Sequence, residues 1–150
     1  MAKIFFIWFY RVMNIGVNII NFTSQQKEYN LGKHKVTEIY SDDGILQKRL
    51  EYDEFNRDVD SKNYDEKGVL IDHQHKDYYE KQNEKGCIET YKSKTQEYTR
   101  KSYTKYENGL KHTVDDFKSK TTSYINEFIS DLSGKLVKII NNGNVIDLRK

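Results

Sequence analysis

His73 and His75 are separated by one residue, and Asp77 follows at the same interval. In an extended strand alternate side chains point to one face, so all three would stand together. Imidazole and carboxylate at that spacing are potential metal ligands. A complete site needs another donor, and His34 and His112 are distant in the chain. The pair also lies in a charged segment, where a strand histidine is ordinarily solvated. No metal and no cofactor are therefore expected, with His73 and His75 the weak candidates. Cys87 is the single cysteine, which excludes an internal disulfide. A catalytic thiol needs a neighbouring base and a lowered pKa. Gly86-Cys87-Ile88 instead begins a strand, where cysteine packs as a small hydrophobe. A Gly-x-Ser-x-Gly elbow and a phosphate-binding glycine loop are both missing, so the expectation is a protein that is not an enzyme.

Two charged segments suggest binding. Asp42-Asp43-Gly44 and Asp65-Glu66 are acidic turns, but they lack the alternating oxygen ligands and terminal Glu of a calcium loop. Turn formation by Asp accounts for them. Residues 92–105 interleave Lys92, Lys94, Arg100, Lys101 and Lys105 with Tyr91, Tyr98 and Tyr103. Basic side chains among aromatic rings suit single-stranded nucleic acid. Glu97 and Glu107 interrupt or follow the run, and nucleic acid is the lesser expectation. Residues 40–80 hold twelve acidic against six basic residues, while 81–120 hold six against ten. Opposite fields of this kind steer a charged partner. The net charge of +2 by itself points to none.

The elements that must position these residues show in the tyrosines. Tyr40, Tyr52 and Tyr64 are spaced by twelve, and so are Tyr79, Tyr91 and Tyr103. Gly44, Asn56, Gly68 and Asn83 follow the first four at a distance of four. An even short period closed by Gly or Asn indicates strands and tight turns in series. Asn108-Gly109 and the Gly134 and Gly143 turns continue the series. The expected fold is mostly β: an antiparallel meander of tandem β-hairpins in a single open sheet over residues 35–150. The span 114–130 holds no clear turn signal; Val114, Phe117, Tyr124 and Phe128 could also support a helix, and the Ser/Thr-rich centre, 118–123, favours strand. Hydrophobic residues are 36% of the chain, and aromatics are 13%. That supply fits a thin sheet covered by Tyr rings and Lys stems rather than a deep core.

Residues 4–22 form the one long apolar stretch, with Arg11, Asn14, Asn18 and Asn21 at helical spacing. An apolar helix is expected there, within an N-terminal segment 1–24 joined by a linker, 25–34, to the β domain. Membrane anchor, signal peptide and helix packed on the sheet are open alternatives.

Glu51-Tyr52-Asp53-Glu54-Phe55-Asn56-Arg57 and Tyr64-Asp65-Glu66-Lys67-Gly68 resemble the Tyr-Asp hairpins of YD-repeat, RHS-like proteins. Tyr106-Glu107-Asn108-Gly109-Leu110-Lys111 resembles the Tyr-x-Asn-Gly-Lys unit of MORN-variant proteins. The resemblance covers about residues 40–110 and departs from both patterns: only two Tyr-Asp pairs occur, and Asn56-Arg57 and Gly68-Val69 replace the usual Gly-Arg. It implies strings of hairpins and a bacterial setting, and no catalytic residues.

The functional expectation is a non-enzymatic binding module of a membrane-associated or exported repeat protein, with cytoplasmic location as the alternative. Its protein partner would lie on the open sheet face, with Tyr40, Tyr52, Tyr64, Asp53 and Asp65 as binding residues. Membrane contact would run through residues 4–22. The alternative function is an antitoxin or immunity-type inhibitor that uses the acidic face.

Overall fold

The computed structural model describes residues 25–149. They form β1 (Gln25–Leu31), β2 (His34–Tyr40), β3 (Leu46–Tyr52), β4 (Asp58–Tyr64), β5 (Leu70–Lys81), β6 (Glu84–Ser93), β7 (Glu97–Glu107), β8 (Leu110–Ser119), β9 (Ser123–Asp131), β10 (Leu136–Asn141) and β11 (Asn144–Asp147). Strand order follows chain order from β1 to β11, so the expected antiparallel meander in one open sheet is observed. The helix expected over residues 4–22 lies outside the described residues. Among those described, no helix is long and apolar enough to cross a membrane. The linker expected over 25–34 is corrected. Gln25–Leu31 is β1, paired residue for residue with β2 across a Gly32-Lys33 turn. This strand is polar, and backbone pairing holds it rather than burial, so it left no apolar signature.

The chain divides into two compact units, the first ending at His73 and the second starting at Gln74, within β5. In the first unit the twelve-residue period has a simple origin. Strands β2, β3 and β4 are seven residues each, and the loops 41–45, 53–57 and 65–69 add five. Each loop is closed in the same way: its first amide donates to the fifth carbonyl, and its fourth amide donates to the first carbonyl. The fourth residue has positive φ: 79° at Gly44, 60° at Asn56 and 76° at Gly68. Those are the positions where only Gly or Asn fits cheaply. Asp53 Oδ1 accepts from the amides of Phe55 and Arg57, and Asp65 Oδ1 from those of Lys67 and Val69.

The second unit uses other turns as well. Loop 131–135 repeats the Asp-led form. Asn108-Gly109 and Asn142-Gly143 have positive φ at both positions, the two-residue turn whose twist matches the flanking strands. Two further turns, at 93–96 and 119–122, lack Gly. There Ser93 Oγ accepts from Thr95 and Gln96, and Ser119 Oγ accepts from Thr121 and Thr122. The second breaks the span that was expected to run as strand through residues 118–123. A serine hydroxyl does the work of a left-handed residue, so the usual punctuation is missing.

Burial is sparse. Among the described residues, Val36 is fully buried, and Thr37, Val114, Ile129 and Val137 are nearly so. Each is a β-branched side chain on a strand. Gly86 shows the tightest approach in the sheet. A Cβ built there would lie 2.5 Å from both Ser102 O and Tyr103 Cβ, and Tyr103 is its direct partner on β7. Gly86→Ala is expected to destabilise the fold by about 1–3 kcal/mol through overpacking. A urea melt of the variant checks this, and an unchanged midpoint would contradict it.

Candidate binding surfaces

On one face of the first unit, pairing places Lys27, Glu38, Arg49 and Lys62 in a row across β1 to β4. Tyr29, Val36, Glu51 and Asp60 form the adjacent row on the same face. Charges of opposite sign therefore meet along and between rows. Glu38 accepts from Tyr29 Oη at 2.9 Å and Tyr40 Oη at 2.7 Å. Arg49 lies 2.9 Å from Glu51 and 3.5 Å from Asp60. His34 Nδ1 lies 2.6 Å from Glu51, His73 Nε2 lies 2.6 Å from Asp60, and Lys62 lies 3.4 Å from Asp60. Burial, followed by the bond to Glu38, pushes the Tyr40 hydroxyl up to about 12, so it remains a donor. The His34 bond, ahead of Arg49, holds Glu51 below the usual carboxylate range against the effect of burial.

The opposite face of this unit carries Ile39, Lys48 and Asn63 in one register row. They line an open groove of about 720 Å³ together with Gln47, Tyr64, Asp65, Glu66, Lys67 and Ile71. Asn63 is fixed by a 2.8 Å bond to Asp72. Of the residues singled out in the sequence, Tyr64 and Asp65 meet at this groove. Tyr40 belongs to the charge network, and Tyr52 is half-buried beside the loop that Asp53 closes. Arg57 also bonds Asp53, through Nε at 2.7 Å. His73 Nε2 meets Asp60, and His75 Nε2 lies 3.2 Å from Asp77. Among the described residues no cluster of three or more His, Cys, Asp or Glu is disposed to hold a metal.

In the second unit Lys101 is held between two rings of the second tyrosine triplet. Its ammonium is 4.4 Å from the centre of Tyr103 and 5.6 Å from that of Tyr79, and it lies 3.4 Å from Glu84. His112 Nδ1 lies 2.5 Å from Glu127 on the face that buries Val114 and Ile129. Tyr91, the middle member of the triplet, is on the other face. There Tyr91, Tyr98, Phe117 and Tyr124 form a continuous row across β6 to β9, with successive ring centres 5.2, 5.2 and 5.1 Å apart. Burial and then the bond to Glu89 push the Tyr98 hydroxyl up to about 12. Arg100 clamps Asp115 in a two-pronged pair at 2.7 and 2.8 Å.

Sequence reasoning missed the origin of this row. Tyr91-Lys92-Ser93-Lys94-Thr95 and Phe117-Lys118-Ser119-Lys120-Thr121 are copies 26 residues apart, and Tyr98 and Tyr124 end them at equal distances. Each copy is one hairpin turn with a ring on either strand. The signal was present as a longer period, hidden beneath the twelve-residue one. Comparison of the chain with protein-family profiles, curated proteins and solved structures returned no significant match.

The depressed Glu51 titration makes a pH prediction. A carboxyl with a lowered folded-state pKa stabilises the fold above its unfolded pKa of about 4.3, and that stabilisation is lost as pH falls through the folded value. Glu51→Gln is therefore expected to lower the urea midpoint at pH 7 and to differ little from the parent protein at pH 3. An equal deficit at both pH values would contradict the assignment.

Proposed function

We propose that the chain is a non-enzymatic binding module of a hairpin-repeat protein, membrane-associated or exported, that holds a protein partner on its open sheet. The groove of the first unit carries this reading. Its lining sets Ile39 and Ile71 beside Tyr64, Lys48, Lys67 and Glu66, and Val69 and Leu70 in the adjoining segment are, like Ile71, large exposed apolar residues. Exposed apolar residues among side chains of mixed charge are the composition of a protein-contact surface. The groove lies open along the sheet face, so it would seat side chains of a partner rather than enclose a small molecule. The YD-like resemblance supports the same reading through its Tyr-Asp loops, since Tyr64 and Asp65 both face the groove.

The inhibitor alternative relies on free acidic charge over residues 40–80. Glu51, Asp53 and Asp60 in that segment are engaged by Arg49, Arg57, Lys62 and the histidines, which favours the groove over the acidic face.

Photo-crosslinking from position 64 tests the reading. A cell extract is expected to yield one defined protein adduct, absent when the photo-reactive group is moved to exposed Phe55 and strongly reduced by Ile71→Asp. Equal adducts from both positions, or indifference to Ile71→Asp in a protein with unchanged circular dichroism, would sink it.

A further inference from the structure

We propose that the ring row and lysine turns of the second unit bind single-stranded nucleic acid. The four rings are near-parallel within each hairpin pair, at 19° for Tyr91 and Tyr98 and 12° for Phe117 and Tyr124. Ring planes in contact are only about 3.5–4.0 Å apart. A centre separation of 5.2 Å between Tyr91 and Tyr98 therefore means that each ring is slipped sideways and leaves part of its face open. All four are half-buried rather than covered. The row is a stepped aromatic surface of the kind on which bases stack.

The turns beside it carry unengaged positive charge. Lys94 and Lys120 stand in the two serine turns, while Lys92 and Lys118 directly precede those serines and alternate to the face opposite the rings. All four are exposed, and none is in an ion pair among the described residues. The contrast is local: Arg100, Lys101 and Lys105 in the same unit are all paired with carboxylates. The counter-charge nearby is Glu97, opposite Lys92, Glu89, which Tyr98 engages, and Asp115, which Arg100 engages. The two turns are separated by two strand spacings, about 10 Å. Lysines at the turn tips run parallel to the rings set back on the face. A flexible single strand can lay its phosphates on the first and its bases on the second. A flat anionic membrane touching the tips would miss the rings, and an acidic peptide would find no use for their open faces. Because the 26-residue copy supplies both rows together, one repeated unit would contribute one step of the site.

The test uses the full chain and a fluorescein-labelled fifteen-residue oligothymidylate, read by anisotropy at several salt concentrations. Saturable binding is expected at low salt. The double variant Lys94→Gln, Lys120→Gln should weaken it at least tenfold and flatten the log–log salt slope by about 1.4, two phosphate contacts at about 0.7 each. Phe117→Leu should weaken binding about fivefold or more and leave the slope unchanged. Three results would each overturn the proposal: no binding at low salt, the double variant binding as the parent does, or polyglutamate or duplex DNA of the same length competing equally well. None of them bears on the groove reading, which rests on residues of the first unit.

Discussion

A side-chain oxygen at the head of each longer loop holds the backbone amides two to four residues further on, and the rest of the sheet follows from that. Asp53, Asp65 and Asp131 do this with a carboxylate, and Ser93 and Ser119 with a hydroxyl. Ser41 contributes one such bond, to the amide of Ile45. A proline-free chain has no rigid ring to fix its turns, so local capping must set where each strand begins. A one-residue slip would turn every side chain to the opposite face. Lys27, Glu38, Arg49 and Lys62 would then no longer meet the row that holds Glu51 and Asp60.

Register matters more here than in a domain with a deep core. Val36 and Thr37 lie on opposite faces of β2, and both are buried. Register flanks Val36 with Tyr29 and Glu51, and Thr37 with Glu28 and Leu50, neighbours that are in place only when the rows align. The same alignment converts a highly charged composition into paired charge, so that polar groups act as the lid of the sheet. Hydrogen-bonded pairs with side chains 10–20% exposed, such as Glu51 with Arg49, are the strongest of these contacts.

Much of this was written plainly in the chain. Tyr40, Tyr52 and Tyr64 mark strand ends because a seven-residue strand plus a five-residue loop gives their spacing, and Gly44, Asn56 and Gly68 mark the left-handed position of each loop. What stayed hidden had physical reasons. Strand β1 is polar and is defined by its partner. The turns at Ser93 and Ser119 use side-chain bonds in place of Gly or Asn. The groove brings together Ile39, Tyr64 and Ile71 from three strands or their loops, a proximity that depends on register. The tyrosine triplets mark strands and turns in series, and pairing assigns Tyr79 and Tyr103 to a cation clamp and Tyr91 to the ring row. Period alone cannot distinguish those fates, because face is set by parity within each strand.

Two units with the same hairpin logic thus present different surfaces: an apolar groove beside a closed charge network in the first, and an aromatic row beside unengaged lysines in the second. Both depend on loops that hold their register. The direct test is amide hydrogen exchange on Asp65→Ala and Asp65→Asn. Asparagine keeps the Oδ1 acceptor and alanine does not. Faster exchange at Lys67, Val69 and the paired amides of β4 in the alanine variant, with near-parental protection in the asparagine variant, is the predicted result. Protection that survives equally in both would contradict the claim that side-chain closure of the loops sets the sheet.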